Sequence, residues 1–187
     1  MIMKSKEIKN ITLSAMFLGL ALVLPFLTGQ IQVIGKMLLP MHLPVLLCGL
    51  ICGWQYGAVI GFITPIMRSL IFGMPPLYPT ALAMAFELAA YGFFVGFLFS
   101  HAKWQCIKSL YRCLLIAMVA GRAVSGLANI ILLGIKGNSY TLSAFIAAHF
   151  TSAIPGIILQ LTLIPAVMLL LNRTHLVPFK KREYEKI

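Results

Sequence analysis

Long apolar segments, separated by short breaks, run through almost the whole sequence. Each segment continues for about the length of a membrane-spanning helix before glycine, proline or polar residues interrupt it. This pattern predicts an all-α membrane protein with six transmembrane helices in a single domain, residues 1–187. The predicted helices cover residues 8–27, 39–53, 58–72, 80–100, 113–135 and 142–171.

The second helix is predicted to be short, because a turn at residues 53–57 should separate it from the third. Pro40 and Pro44 fall in its first turns, where a missing amide hydrogen costs little. An uninterrupted helix over residues 43–73 would measure about 46 Å, well beyond the ~30 Å hydrocarbon core. It would also leave one group of basic residues on the wrong side of the membrane.

Most lysines and arginines fall into three groups that flank the apolar segments. These groups are Lys4, Lys6 and Lys9; Lys103, Lys108 and Arg112; and Arg173, Lys180, Lys181, Arg182 and Lys186. Cytoplasmic loops of membrane proteins carry an excess of basic residues. Both termini, including a basic tail at residues 172–187, are therefore predicted to be cytoplasmic.

The composition favours the same class of protein. Hydrophobic residues make up 60% of the chain and charged residues only 10%, which is unlike a soluble domain. The net charge of +11 indicates contact with anionic lipid headgroups rather than nucleic acid, because the basic residues flank the apolar segments. The four cysteines are scattered through or beside predicted helices, so neither a disulfide framework nor a metal site is expected.

Ionised residues inside the predicted helices mark a candidate binding site, because a charge in the lipid interior is costly. Arg68, Glu87 and Arg122 are such residues, and the chain contains no aspartate. Two guanidinium groups and one carboxylate leave a surplus positive charge, which predicts an anionic ligand at Arg68 or Arg122.

Polar residues also recur on one face of three predicted helices. Helix 4 carries Thr80, Met84, Glu87 and Tyr91, helix 5 carries Arg122, Ser125 and Asn129, and helix 6 carries His149, Ser152, Gly156 and Gln160. Polar atoms within a bilayer need partners inside the protein, so these faces should converge. Most of them lie in the predicted outer half, which indicates a small-molecule site open to the outside.

Small residues predict close contacts between helices. Gly49, Gly53, Gly57 and Gly61 recur at every fourth position, and Gly92 is followed by Gly96. Ala15 and Gly19 form a similar face on helix 1, which could serve either internal packing or contact with another subunit.

Several of these features together resemble a known family. The short proline-bearing second helix, the Ala15-x-x-x-Gly19 face after N-terminal lysines, and the segments 39–54, 65–75 and 83–87 are similar to the S components of energy-coupling factor (ECF) vitamin transporters. The pantothenate-type members are the most similar. This resemblance implies a multi-pass protein of a prokaryotic plasma membrane that captures a vitamin from outside the cell.

The resemblance also implies partners: a membrane scaffold (T) subunit, contacted through Ala15 and Gly19, and two cytoplasmic ATPases that use ATP and Mg. The chain itself carries no glycine-rich phosphate loop, so it is expected to be neither an enzyme nor the holder of a cofactor. A loop over the ligand would act as a gate, with candidate residues Gln30, Gln32, Lys36 and His42.

Pantothenate would place its carboxylate on Arg68 or Arg122, and its hydroxyls and amide near Tyr78, Asn129, His149 or Gln160. Nicotinate, biotin and hydroxymethylpyrimidine are alternative ligands. A stand-alone secondary transporter is a further alternative, although residues 1–95 and 96–187 show no convincing repeat. A membrane enzyme is less favoured, since the predicted helices hold a single carboxylate.

Overall fold

The computed structural model describes residues 2–28, 37–135, 153–174 and 177. Within these ranges the chain is helical and contains no strand, which confirms the all-α class. Its helices are α1 (Ile2–Val23), α2 (His42–Cys52), α3 (Trp54–Phe72), α4 (Leu82–His101), α5 (Ile107–Ile135) and α6 (Ile154–Arg173). A 3-10 turn (Leu24–Thr28) follows α1, and a π-helical turn (Leu77–Ala81) precedes α4. Five of the described helices are long and apolar enough to cross a membrane.

Helix α2 is short, as predicted. Its 11 residues extend for roughly 16 Å, about half of a ~30 Å hydrocarbon core, so it is too short to span the bilayer by itself. It ends at Gly53, whose φ of 109° reverses the chain, and α3 begins at the next residue. One residue without a Cβ therefore makes the whole connection.

The observed boundaries differ from the predicted ones at several places. Helix α1 ends at Val23 rather than at residue 27, and α2 begins at His42 rather than at residue 39. The connection after α2 is Gly53 alone, and residues 54–57 belong to α3 because a single positive φ is enough to turn the chain. Helices α1 and α5 begin earlier than predicted, at Ile2 and Ile107. Lysine and arginine are good helix formers, so a helix can continue through them into the headgroup region. The predicted turn at 137–139, the predicted start of helix 6 and most of the tail 172–187 lie outside the described residues.

Helix α4 lies at the centre of the fold and packs against α2, α3 and α5. Helix α1 covers α2 and α3, while α6 contacts α2 and α5. Two apolar clusters result. One joins α2, α4, α5 and α6 and includes Leu46, Tyr91, Leu114 and Ile164. The other joins α2, α3 and α4 beneath α1 and includes Val45, Cys48, Ile60 and Leu88.

The predicted glycine contacts are confirmed except at Gly53, which forms the turn after α2 and has no described atom within 4 Å of an added Cβ. A Cβ added to Gly49 would lie 2.5 Å from the carbonyl oxygen of Gly92, and one added to Gly92 would collide with the backbone of Gly57. The backbones of α2 and α3 therefore touch α4 directly, which only glycine permits at these positions. These contacts fix the depth of α2 relative to α4.

One end of the molecule gathers the described basic groups, and we call it the basic end. The Asn10 side-chain amide donates to the carbonyl oxygen of Cys52 at 3.3 Å, which brings the Lys9 region of α1 beside the end of α2. Trp54 packs edge-on against Phe97, near the end of α4 that leads to Lys103. The positive-inside rule predicts a cytoplasmic location for the basic end.

Arg68 fastens α1 to α3 at the opposite end. Its side chain is buried, and its Nη1 atom donates to the carbonyl oxygen of Leu22 at 2.7 Å. The guanidinium carbon lies 5.2 Å from the ring centre of Phe26 and 5.4 Å from that of Phe72. Carbonyl groups in the last turn of a helix lack intrahelical partners, so Arg68 satisfies one of them near the end of α1.

We predict that Gly92→Ala lowers the thermal unfolding midpoint of the detergent-purified protein. The new methyl group meets backbone atoms that have no room to move, and such overpacking costs about 1–3 kcal/mol. For a chain of this size, each kcal/mol corresponds to roughly 2–4 °C. Gly134→Ala is the matched control, because no atom of the described residues lies within 4 Å of a Cβ added to Gly134. Equal midpoints for the two variants would contradict the proposed contact.

We also predict that Arg68→Met lowers the unfolding midpoint, because it removes a hydrogen bond from a charged donor and two cation–π contacts. Hydrogen bonds to charged groups contribute about 1.5–3 kcal/mol. Arg112→Met is the matched control, since Arg112 is exposed near the basic end. A midpoint for Arg68→Met equal to or above that of the unmodified protein would contradict a fastening role.

Candidate functional site

Buried polar side chains meet where α2 begins beside the middle of α4. His42 is the first residue of α2 and is 1% exposed. Its Nε2 atom lies 3.9 Å from the Glu87 Oε1 atom, and its ring centre lies 5.2 Å from that of Tyr91. The Tyr91 hydroxyl donates to the same Glu87 oxygen at 3.1 Å. Two aromatic side chains therefore surround one buried carboxylate.

Helix α5 adds a positive charge to this group. The Tyr91 ring lies against Gly121, where a Cβ would overlap it. The next residue, Arg122, is 5% exposed and interacts with the Tyr91 side chain. We call His42, Glu87, Tyr91 and Arg122 the polar cluster. It joins a carboxylate and a guanidinium across a phenol, away from water, where each charge strongly influences its neighbours.

Two further buried polar residues lie on α5 and α6. Ser125 lies one turn beyond Arg122 and is 1% exposed. On α6, Gly156 packs against the backbone of Met37 and Leu38, which lead into α2. Gln160 lies one turn further along α6 and is also 1% exposed. It therefore faces the region where α2 begins.

The three helices place their polar residues at a common depth. At ~1.5 Å per residue, Glu87 lies about 21 Å along α4 from the basic end, and Arg122 about 22 Å along α5. Gln160 lies about 20 Å along α6 from Arg173. Residues 107–112 of α5 lie at the headgroups, so Arg122 is about 14 Å into a ~30 Å hydrocarbon core, near its middle, and Glu87 and Gln160 lie at or beyond the middle. With the basic end predicted to be cytoplasmic, the side beyond the middle is the outer half.

The structure brings together Glu87 and Arg122, which both interact with Tyr91, and it buries two further predicted binding residues, Ser125 on α5 and Gln160 on α6. Asn129 is half-buried one turn beyond Ser125, and its amide donates to the Ser125 carbonyl oxygen at 2.8 Å. The remaining predicted residues within the described ranges have other surroundings.

Arg68 contacts α1 and the aromatic rings at the α1–α3 junction, so the structure does not bring it to the polar cluster. Met84 packs against the apolar cluster beneath α1. The Tyr78 hydroxyl donates to the carbonyl oxygen of Leu132, which links the turn before α4 to the outer part of α5. Four other predicted residues lie outside the described part of the chain: His149, Gln30, Gln32 and Lys36.

His42 was predicted to belong to the gating loop, and Tyr91 was predicted to lie on the polar face of helix 4 without being one of the binding residues. The structure instead places His42 inside α2, in contact with Glu87 and Tyr91. Two signals could have identified these residues. An ionisable side chain within an apolar helix is a functional candidate by default, and Tyr91 follows Glu87 by one helical turn.

A second candidate surface lies on α1. Ala15 and Gly19 are exposed, and nothing in the described part of the protein lies within 4 Å of a Cβ added to Gly19. Ser14 and Ala21 are buried against the rest of the fold. The small-residue face of α1 is therefore open for contact with another helix.

Comparison with known proteins identifies the family. No curated protein and no solved structure matches the chain. Residues 9–168 match the family model described as ECF transporter, substrate-specific component. This range includes the polar cluster and the small-residue face of α1. The chain is therefore a member of the ECF transporter substrate-specific component family.

Proposed function

We propose that the protein binds pantothenate in the polar cluster and delivers it through a scaffold subunit driven by two ATPases. Members of its family are multi-pass, substrate-binding subunits of vitamin transporters and are not enzymes. The observation that supports this site is the meeting of Glu87, Tyr91 and Arg122, all buried, near the middle of the hydrocarbon core. Buried ionised groups at that depth are costly, and a ligand provides a reason for them.

In this proposal Arg122 binds the carboxylate of pantothenate. A guanidinium presents paired N–H donors that fit a carboxylate, and burial strengthens the interaction. Glu87 accepts the Tyr91 hydrogen bond and balances the charge of Arg122 when no ligand is bound. Ser125 and Asn129 lie further along the same helix, where they can meet the uncharged part of the molecule. Nicotinate and biotin also carry a carboxylate and would use Arg122 in the same way.

The position of Arg68 favours one further candidate ligand. The sequence predicted a surplus of positive charge, but the structure places Arg68 at the α1–α3 junction. The polar cluster itself contains one carboxylate and one guanidinium. A neutral or cationic pyrimidine, such as hydroxymethylpyrimidine, would then bind to Glu87 instead of Arg122. Family membership disfavours the alternative of a stand-alone secondary transporter.

Delivery of the vitamin would depend on the partners. The exposed Ala15–Gly19 face of α1 would dock on the scaffold, and ATP with Mg would be used by the two ATPases. Residues 28–41 would close over the bound vitamin, and the whole protein would tip in the membrane to release it inward. A prokaryotic plasma membrane is the proposed location.

We predict that Arg122→Gln weakens pantothenate binding at least tenfold, roughly 1.4 kcal/mol, because glutamine cannot neutralise the carboxylate. Isothermal titration of the detergent-purified protein measures this change. Arg112→Gln is the matched control, since Arg112 is exposed near the basic end.

A loss of affinity in Arg68→Met but not in Arg122→Gln would place the carboxylate at Arg68 instead. If the wild-type protein binds hydroxymethylpyrimidine and not pantothenate, hydroxymethylpyrimidine replaces pantothenate as the proposed substrate.

We predict that Gly19→Leu reduces assembly with the scaffold, because a large side chain keeps two helices from approaching closely. The measurement is the amount of scaffold and ATPase subunits that co-purify with the tagged protein from membranes expressing all components. Gly134→Leu is the matched control on α5, where the described part of the chain likewise places no atom within 4 Å of an added Cβ. Normal assembly of the Gly19→Leu variant would exclude this face as the docking surface.

A further inference from the structure

Two of the most deeply buried polar side chains lack hydrogen-bond partners among the described residues. The described residues provide no hydrogen-bond partner for either ring nitrogen of His42 or for the Nε2 atom of Gln160. Each residue is only 1% exposed. Most buried polar groups in proteins are hydrogen-bonded, so these atoms call for an explanation.

Burying these polar atoms without hydrogen bonds costs free energy. A buried polar atom without a partner costs about 1–3 kcal/mol, and the apolar surroundings of a membrane protein offer no compensation. Other polar groups on the same helices are satisfied locally. The Thr162 hydroxyl, for example, faces outward on α6 and donates to the carbonyl oxygen of Ile158 at 2.8 Å. The unpaired atoms are therefore confined to the buried side of α2 and α6.

The two side chains border the same region. Gly156, one turn before Gln160, touches the backbone that leads into His42. Ile164, one turn after Gln160, packs in the apolar cluster that also contains Leu43 and Tyr91. Gln160 therefore lies on the inward face of α6, between a residue that contacts the backbone before α2 and a residue of the apolar cluster. His42 contacts Tyr91 from the α2 side.

We propose that His42 and Gln160 bind a hydroxyl group of the vitamin and select ligands that carry one. This inference rests on the proposed vitamin-binding function. The Gln160 amide needs an acceptor, while a neutral imidazole offers one donor and one acceptor. A single hydroxyl can accept from the Gln160 amide and donate to the acceptor nitrogen of His42. The imidazole N–H that remains can face the Glu87 carboxylate, whose Oε1 atom lies 3.9 Å from Nε2. A carboxylate lacks the proton to do this, and a methyl group lacks both functions.

The pair determines specificity because its atoms stay unpaired with any ligand that lacks the hydroxyl. Sites built to hydrogen-bond a substrate hydroxyl reject the deoxy analogue far more strongly than apolar pockets reject an extra methylene group. Arg122 or Glu87 would hold the charged or ring portion of the ligand. His42 and Gln160 would then distinguish among vitamins of similar charge.

The test compares ligands that differ only in the hydroxyl. The purified protein is titrated with pantothenate and an analogue in which hydrogen replaces both hydroxyls, and with hydroxymethylpyrimidine and its methyl counterpart. We expect the wild-type protein to prefer the hydroxylated member of the pair it binds by at least about tenfold. Gln160→Leu and His42→Phe should lower that preference towards equality, by weakening the hydroxylated ligand only.

Thr162→Val is the matched control and should keep the full preference. If the unpaired atoms bind only a structural water, Gln160→Leu and His42→Phe will change the unfolding midpoint and leave the preference intact, which overturns the inference. Equal loss of both ligands in both variants overturns it as well.

The outcomes also separate this inference from the proposed function. If only hydroxymethylpyrimidine or its methyl counterpart binds, hydroxymethylpyrimidine replaces pantothenate as the substrate. The preference for the hydroxylated member of that pair then still tests the inference. Tight binding of nicotinate or biotin, which carry no hydroxyl, overturns the inference and leaves vitamin binding in place. Binding of none of the four vitamins contradicts both proposals.

Discussion

Direct backbone contact between helices is the constraint on which the rest of this structure depends. Gly49 and Gly57 touch α4 at Gly92 without any intervening side chain. In lipid no hydrophobic force draws helices together, so close packing of this kind determines their arrangement. It fixes the short α2 at one depth and thereby places its first residue, His42, beside Glu87. A single added methyl group at these glycines would move the helix that completes the polar cluster.

The two buried arginines show how differently a membrane protein can accommodate the same side chain. Arg68 is surrounded by a carbonyl oxygen and two phenyl rings, which stabilise a cation and hold α1 on α3. Arg122 lies beside the phenol of Tyr91, which is itself hydrogen-bonded to Glu87. The first environment joins two helices and leaves the guanidinium enclosed. The environment of Arg122 combines a guanidinium and a carboxylate at a similar depth, an arrangement that can bind a polar ligand.

Much of this could be predicted from sequence, because it depends on local patterns. The lengths of the apolar segments predicted the helices, and glycines at every fourth residue predicted close helix contacts. The 3.6-residue period of a helix placed Arg122 and Ser125 on one face. The fate of Arg68 could not be predicted, since its partners Leu22 and Phe26 are distant in sequence and its long side chain can reach several neighbours. The connection between α2 and α3 is one residue, Gly53, and is shorter than the predicted turn at 53–57. The sequence does not reveal which glycine adopts a positive φ.

The placement of His42 could not be predicted for a related reason. Its depth follows from the contact of Gly49 with Gly92, which is a property of the assembled helices. The predicted helix 39–53 already included His42 close to its start, and its position next to the preceding loop was the reason for the predicted gating role. Met84 is the opposite case, because a residue predicted to lie at the site packs elsewhere. It shares a helical face with Glu87, yet its flexible side chain packs towards the cluster beneath α1.

Helix α2 also lies between the two candidate surfaces. Its residues Leu43 and Leu46 pack on the side of the polar cluster, while Val45 and Cys48 pack on the side covered by α1. Because glycine contacts hold α2 against α4, α2 cannot slide past α4 without separating their backbones. Ligand binding and partner docking would thus act on one rigid unit. This rigidity favours movement of the protein as a whole over an internal rearrangement as the way a bound vitamin crosses the membrane.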